Sequence, residues 1–170
     1  MIELTPIETV RKSKKKLERI LKVKLTINEC DVLVEGEPED EYTARKVIDA
    51  ILFGFRFSVA ILIKDEDFLF EKLNIKDFTR RKDFETIRAR IIGKGGKTLR
   101  TLNTLTDCFF EMQNNEVGII GSSEKIKNAQ DAVISIIQGS KQANVYSFLE
   151  KHQVQPVLDL GLKEREKNNK

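Results

Sequence analysis

The chain has 170 residues, 40% of them hydrophobic, no Trp, three Pro, and a net charge of +3 with pI near 8.8. That is enough apolar mass for one ordinary domain or two small ones. The N-terminus has no apolar signal core, and no apolar run approaches the roughly 20 residues of a membrane span, so a soluble cytoplasmic protein is expected. Cys30 and Cys108 are far apart, each in an apolar stretch, and His152 has no cysteine at ligand spacing. The two thiols read as buried core residues in a reducing compartment, with no metal site and no cofactor.

Charge is segregated along the chain. Arg11 to Lys24 is a Lys/Arg block with Glu18 as its one acid, Glu29 to Asp49 is acidic, and Lys76 to Arg100 is basic again. This pattern predicts a polyanion-facing side and an acidic side left for solvent or a basic protein.

In chain order, the first half predicts short strands at Lys24 to Ile27 and Val32 to Glu35, then an amphipathic helix from Glu41 to Phe53. Phe55 to Ile63 is apolar enough to weld the two halves together. Asp65, Glu66 and Asp67 read as residues flanking a turn, not as a metal cluster. The second half predicts a strand at Phe68 to Ile75, a helix from Asp83 to Ile92, a glycine loop, and a helix from Lys97 to Thr104. Strands at Cys108 to Met112 and Val117 to Ile120 follow, joined by an Asn114-Asn115 turn. A last helix, with Ser123 as its cap, runs to about Gln138 and stops at Gly139. Ile126, Ala129, Val133, Ile136 and Ile137 form its buried stripe.

The halves are related. Lys97-Thr98-Leu99 aligns with Lys15-Lys16-Leu17, and Gly121, Ala129 and Gly139 each lie 85 residues beyond Gly36, Ala44 and Gly54. An internal repeat therefore predicts two copies of one unit: strand, two helices split by a tight loop, two strands and a helix. In the first copy Arg11-Lys12-Ser13-Lys14 stands where the second has Gly93 to Gly96, so the first loop carries no glycine.

The loop carries the functional signal. Ile91 to Thr98 reads I-I-G-K-G-G-K-T. Glycines let the backbone turn tightly and approach another backbone closely, and a following helix presents free N–H groups and a positive dipole end to phosphate. Gly96-Lys97-Thr98 also resembles the end of a nucleotide-binding P-loop, but that motif needs a glycine where Ile91 stands and a strand leading in. Phe84, Ile87, Ile91 and Ile92 instead recur at helical spacing. No Ser/His/Asp set or carboxylate pair is recognisable, and no enzymatic activity is expected.

A G-x-x-G tetrad between two short helices resembles the nucleotide clamp of the KH module, which holds about four unpaired nucleotides. The expected fold is α+β: two tandem type I KH domains, each βααββα, packed as one rigid body, the first without its glycines. The expected boundaries are 1–64, 65–150 and a charged tail at 151–170. Gly93, Lys94, Gly95 and Gly96 would seat the backbone, Lys97 and Arg100 would reach neighbouring phosphates, and one of Arg88 and Arg90 would line the groove. Ile92, Leu99 and either Phe109 or Phe110 would floor it, although Leu99, Leu102 and Leu105 read first as core. Adjacent strand residues point to opposite faces, so only one of the two phenylalanines can serve. A single clamp of this kind suits affinity near micromolar, about −8 kcal/mol.

Longer segments narrow the resemblance. I-I-G-K-G-G-K-T with Leu99, Leu102 and Thr106, the strand Val117-Gly118-Ile119-Ile120-Gly121, the inter-unit run Phe53-Gly54-Phe55 to Ile63, Ile75-Lys76-Asp77-Phe78 and the segment Asn144 to Glu150 are similar to an archaeal family. Its members are small-subunit ribosome assembly proteins with two KH domains, including the partner of the Nob endonuclease. The bulk of Cys108-Phe109-Phe110 departs from the family's usual strand. The resemblance implies binding of rRNA near the 3′ end of the small-subunit precursor, contact with the Nob-type endonuclease and, in archaea, with the α subunit of translation initiation factor two. No small-molecule substrate is implied. A different class of reading is a protein-interaction scaffold with incidental RNA binding; the glycine tetrad argues against it.

Overall fold

The computed structural model describes residues 5–28 and 31–152. Cys30 and the charged stretch at 163–170 lie outside the described residues. Among those described, no helix is long and apolar enough to cross a membrane.

The chain opens with helix α1 (Pro6–Leu21). Pro6 occupies its first position, where a missing N–H costs nothing, and the Thr5 N–H donates to Glu8 Oε2 at 2.9 Å. Val10, Leu17 and Leu21 are buried along one stripe, with Arg11, Lys12, Lys15, Lys16 and Arg19 exposed. Strands β1 (Lys24–Ile27) and β2 (Val32–Glu35) pair antiparallel, and helix α2 (Pro38–Phe53) follows, ending at Gly54 with φ 120°. A short helix α3 (Phe57–Ala60) and a 3-10 turn (Ile61–Lys64) lead on to strand β3 (Phe68–Asn74). The turn between them is closed by the Asp67 N–H donating to Asp65 Oδ1 at 3.2 Å.

The second half continues with a 3-10 turn (Ile75–Phe78) and helices α4 (Phe84–Ile92) and α5 (Lys97–Thr106). Strands β4 (Phe109–Gln113) and β5 (Glu116–Ser122) and helices α6 (Ile126–Ile137) and α7 (Gln142–His152) complete it. The sheet order is β3-β5-β4, all antiparallel. The central strand β5 buries Val117 to Gly121 without a break, because both faces of the sheet are covered. On one face, Val117 and Ile119 join Phe110, Ile87, Ile91, Leu102, Ile136 and Ile137 in a core under the helices. On the other, Ile120 joins Phe53, Phe55 and the apolar stripes of α1 and α2, with Phe68, Phe70 and Phe109 packed alongside. Burying each such large apolar side chain is worth about 1.5–3 kcal/mol, so this second cluster joins the first half of the chain firmly to the back of the sheet. Lys72 reaches across to Asp49 at 2.7 Å.

Three expectations change. The first copy of the repeat does not split its leading helix: Arg11 to Lys14 lie inside the continuous α1, and its sheet has two strands among the described residues. Lys, Arg and Ser carry side chains that tolerate helix, and with no glycine to break it the helix propagates. Ser123 does not cap the last repeat helix; its N–H instead donates to the Asp67 carbonyl at 2.8 Å, and α6 begins at Ile126. Finally, α7 is a helix beyond the repeat, and it runs through Lys151 and His152 into the expected charged tail. It docks through Val145 and Leu149, which are buried in the helix-side core.

Candidate nucleic-acid interface

The site begins with how α4 ends. Ile87 and Ile91 are fully buried and anchor the helix. Arg88 and Ile92, four residues apart, share another face, and Ile92 is left 37% exposed, an unusual place for a large apolar side chain next to a glycine loop. The helix stops at Gly93, whose φ of 74° and ψ of 169° suit glycine. A Cβ on Gly93 would lie 2.1 Å from the Thr98 hydroxyl, so the loop closes on Thr98 only because that atom is missing. The Gly96 N–H donates to the Gly93 carbonyl at 3.1 Å, pinching the four residues into a turn. Gly95 and Gly96 are both left-handed, at φ 60° and 73°, and a Cβ on Gly95 would meet nothing within 4 Å. The backbone at Gly95 is open to close approach.

Helix α5 starts at once, at Lys97. Its amphipathic pattern buries Thr98, Leu102 and Thr106, with Leu99 and Leu105 half-buried against the same core. The opposite face carries Lys97, Arg100, Thr101 and Thr104. With Lys94 and Gly95 these residues line an open concavity of about 540 Å³ that has three cations and no acid in its wall. Arg100 folds back so that its guanidinium donates to the Gly95 carbonyl. The positive end of the helix dipole and the clustered cations make the place attractive to an anion.

The structure thus brings Lys94, Gly95, Lys97 and Arg100 together around one opening, with Gly93 and Gly96 in the same loop and Ile92 the last residue of the helix before it. Arg88 donates to the Asn114 carbonyl at 3.4 Å and Asn115 Oδ1 at 3.2 Å, bridging α4 to the β4–β5 turn. Arg90 is committed elsewhere, donating to the Ser140 carbonyl at 2.7 Å. Of the two phenylalanines, Phe110 is buried among the helices and Phe109 packs on the opposite face against the first half of the chain. The half-buried side chain on the helix-facing side of β4 is Met112, two residues on from Phe110 and so on the same face. Gln142 was also missed, because it sits on a helix outside the repeat; it donates to both Arg90 O and Thr98 Oγ1.

A nucleotide-binding P-loop is ruled out by this geometry, since a helix and not a strand leads into the glycines. Among the described residues no group of three or more His, Cys, Asp or Glu could hold a metal ion. Cys108 is buried and its thiol is pushed up by that burial, partly offset by the Thr106 hydroxyl.

Residues 69–154 match the family model for the eukaryotic-type KH domain, KH-domain type I, in the form of the second such domain of PNO1. A KH domain-containing protein of Methanocaldococcus jannaschii is 30% identical over 145 residues, covering 81% of this chain and 64% of that protein. The pre-rRNA-processing protein pno1 of Schizosaccharomyces pombe is 31% identical over 105 residues, covering 60% of this chain and 44% of that one. The chain therefore spans about half to two thirds of the length of these curated relatives. In a solved complex of a/eIF2α, aDim2p and rRNA from Pyrococcus horikoshii OT3, the similar chain aligns with a TM-score of 0.75 and 27% identity, covering 82% of this chain and 81% of that one. With the family match spanning just over half of its residues, the chain belongs to the KH-domain proteins of the PNO1/Dim2 type.

Proposed function

We propose that this protein is a non-catalytic RNA-binding factor of small-subunit ribosome assembly that holds single-stranded rRNA in the clamp built from Gly93, Lys94, Gly95, Gly96, Lys97 and Arg100. The observation that carries the reading is the pairing of an open left-handed glycine backbone with an acid-free ring of cations at one helix start. Phosphate contacts of this kind supply affinity and register, while Ile92, Leu99 and Met112 offer apolar surface to bases. Arg88 stiffens the turn beside the groove, and Arg90 supports the scaffold. The names of the relatives, a pre-rRNA-processing protein and a partner in an rRNA complex, support rRNA as the ligand. We place the target near the 3′ end of the small-subunit rRNA, with the Nob-type endonuclease and the α subunit of translation initiation factor two as protein partners and the cytoplasm as the compartment. The domain division at 64/65 and 150/151 belongs to the same reading.

The first half of the chain has a role in this scheme that is not clamping. Its counterpart of the glycine loop is the uninterrupted helix α1, whose side chains bar close backbone approach. It serves packing and protein contact.

The test is titration of a labelled RNA from the mature 3′ end of the organism's small-subunit rRNA, beside a scrambled control, over a salt series. Wild type binds with a log–log salt slope of about −2 to −3, as expected for three or four phosphate contacts on a single strand. The Lys94→Asp/Gly95→Asp variant stays folded and loses binding. Equal binding by both proteins would remove the clamp as the site and move the scaffold reading ahead.

A further inference from the structure

Gly93, Gly95 and Gly96 all take positive φ, and glycine has wide backbone freedom of its own, so the shape of the loop has to be held from outside. One side chain on α7 reaches both of its flanks. The Gln142 side-chain amide nitrogen donates to the Arg90 carbonyl at 3.0 Å and to the Thr98 hydroxyl at 2.9 Å. Arg90 O is among the last carbonyls of α4, which lack intrahelical donors. Thr98 is 3% exposed, lies in the first turn of α5, and its hydroxyl is the atom that a Cβ on Gly93 would strike. The tie is reciprocal, since Arg90 donates to the Ser140 carbonyl just ahead of α7.

We infer that Gln142 is a positioning residue for the RNA clamp: it fixes the end of α4 against the start of α5, holds the Gly93–Gly96 loop open, and makes RNA affinity depend on a helix outside the clamp. A preorganised loop loses less conformational freedom on binding. The inference rests on the clamp reading above for its RNA part, while its effect on the loop is separate.

The experiment uses the full chain. Amide hydrogen exchange at Gly96 and Lys97, whose N–H groups donate to the Gly93 and Lys94 carbonyls, is followed by NMR in wild type, Gln142→Ala, Thr98→Val and Thr98→Ser. Leu149→Ala serves as a control that weakens the docking of α7 without removing either bond. A labelled single-stranded RNA of about a dozen nucleotides, longer than the roughly four that one clamp holds, is titrated over salt. Gln142→Ala should speed loop exchange about tenfold, equal to about 1.4 kcal/mol, the order expected for two net hydrogen bonds. RNA should bind more weakly by a similar factor with an unchanged salt slope, because no cation is removed. Thr98→Val should behave alike, Thr98→Ser should restore the wild-type values, and Leu149→Ala should lower Tm without singling out the loop. Unchanged loop exchange in Gln142→Ala, or equal acceleration by Leu149→Ala, overturns the inference. Gly95→Asp in the same titration separates the two claims. If it binds RNA as wild type does, the clamp reading fails, while the exchange rates still decide the role of Gln142.

Discussion

Gly118 lies directly beneath the ring of Phe53: a Cβ built on it would come within 2.6 Å of Cε1, and within 2.8 Å of Phe55 Cε2. The two rings stack at 6.1 Å between centroids, and each meets Phe70 edge-on, at 6.0 and 5.7 Å. The three phenylalanines form the joint between the first half of the chain and the back of the second sheet. Gly118→Ala should therefore destabilise by about 1–3 kcal/mol through overpacking, lowering Tm by roughly 2–4 °C per kcal/mol. Combining it with Phe53→Leu should cost less than the two changes added, which a double-mutant cycle of thermal or urea unfolding measures.

Gly93 and Gly95 should respond differently to alanine. Gly95→Ala adds a methyl in open space and bears only the left-handed backbone penalty, about 1–2 kcal/mol. Gly93→Ala adds overlap with Thr98 in a backbone conformation, φ 74° and ψ 169°, that is essentially restricted to glycine, and about 1–3 kcal/mol more is expected. Urea unfolding of the two variants checks the order. Thr98→Ala in the Gly93→Ala background should recover part of the difference, because the struck atom is the Thr98 hydroxyl oxygen.

The arginines and lysines divide by whether they line the concavity beside the glycine loop. Lys94→Ala, Lys97→Ala and Arg100→Ala should each weaken RNA binding and reduce the magnitude of the log–log salt slope by about 0.7. Arg90→Ala should leave that slope alone and lower thermal stability, since its guanidinium is bonded to the Ser140 carbonyl. Fluorescence anisotropy at several salt concentrations, with thermal melts of the same samples, distinguishes the two groups.

Glu111 gives a pH signature. Half-buried on β4 behind the sheet, its carboxyl is raised above the ordinary value by burial, with the positive charge of Arg56 opposing. A raised folded-state value means the folded chain holds this proton when the unfolded chain has lost it. The favourable contribution is complete below the unfolded pKa, near 4.5, and is lost as pH rises through the folded value. Glu111→Gln should raise Tm at neutral pH, and its advantage over wild type should disappear in mild acid. Melting curves across that range test the sign; an advantage that grows on acidification would refute the assignment.

Much of the architecture was legible from residue pattern alone. Strands β1 and β2 fall where alternation put them, α4 and α5 flank the glycines, and the α6 stripe from Ile126 to Ile137 is buried as its spacing required. These features are local, decided by side-chain period and by glycine at turns. The repeat was legible too, but not its consequence at Arg11 to Lys14. The alignment marked the lost glycines, whereas the merging of two helices into α1 is a cooperative outcome of the whole segment. Ser123 shows the limit of a cap rule: its N–H had a better partner across the fold, at Asp67.

By itself, the order of amino acids determined the α+β unit, the glycine loop with Lys94, Lys97 and Arg100 beside it, and the family to which these motifs point. Tertiary structure alone decided which side of the sheet Phe109 and Phe110 face, that Arg90 serves Ser140, and that α7 reaches back through Gln142 to both ends of the loop. The physical reason is range. Helix period, glycine freedom and charge clustering act between residues a few positions apart. Gln142 and Arg90 are 52 positions apart, and only the packed core under α4, α5 and α7 brings them within a hydrogen bond.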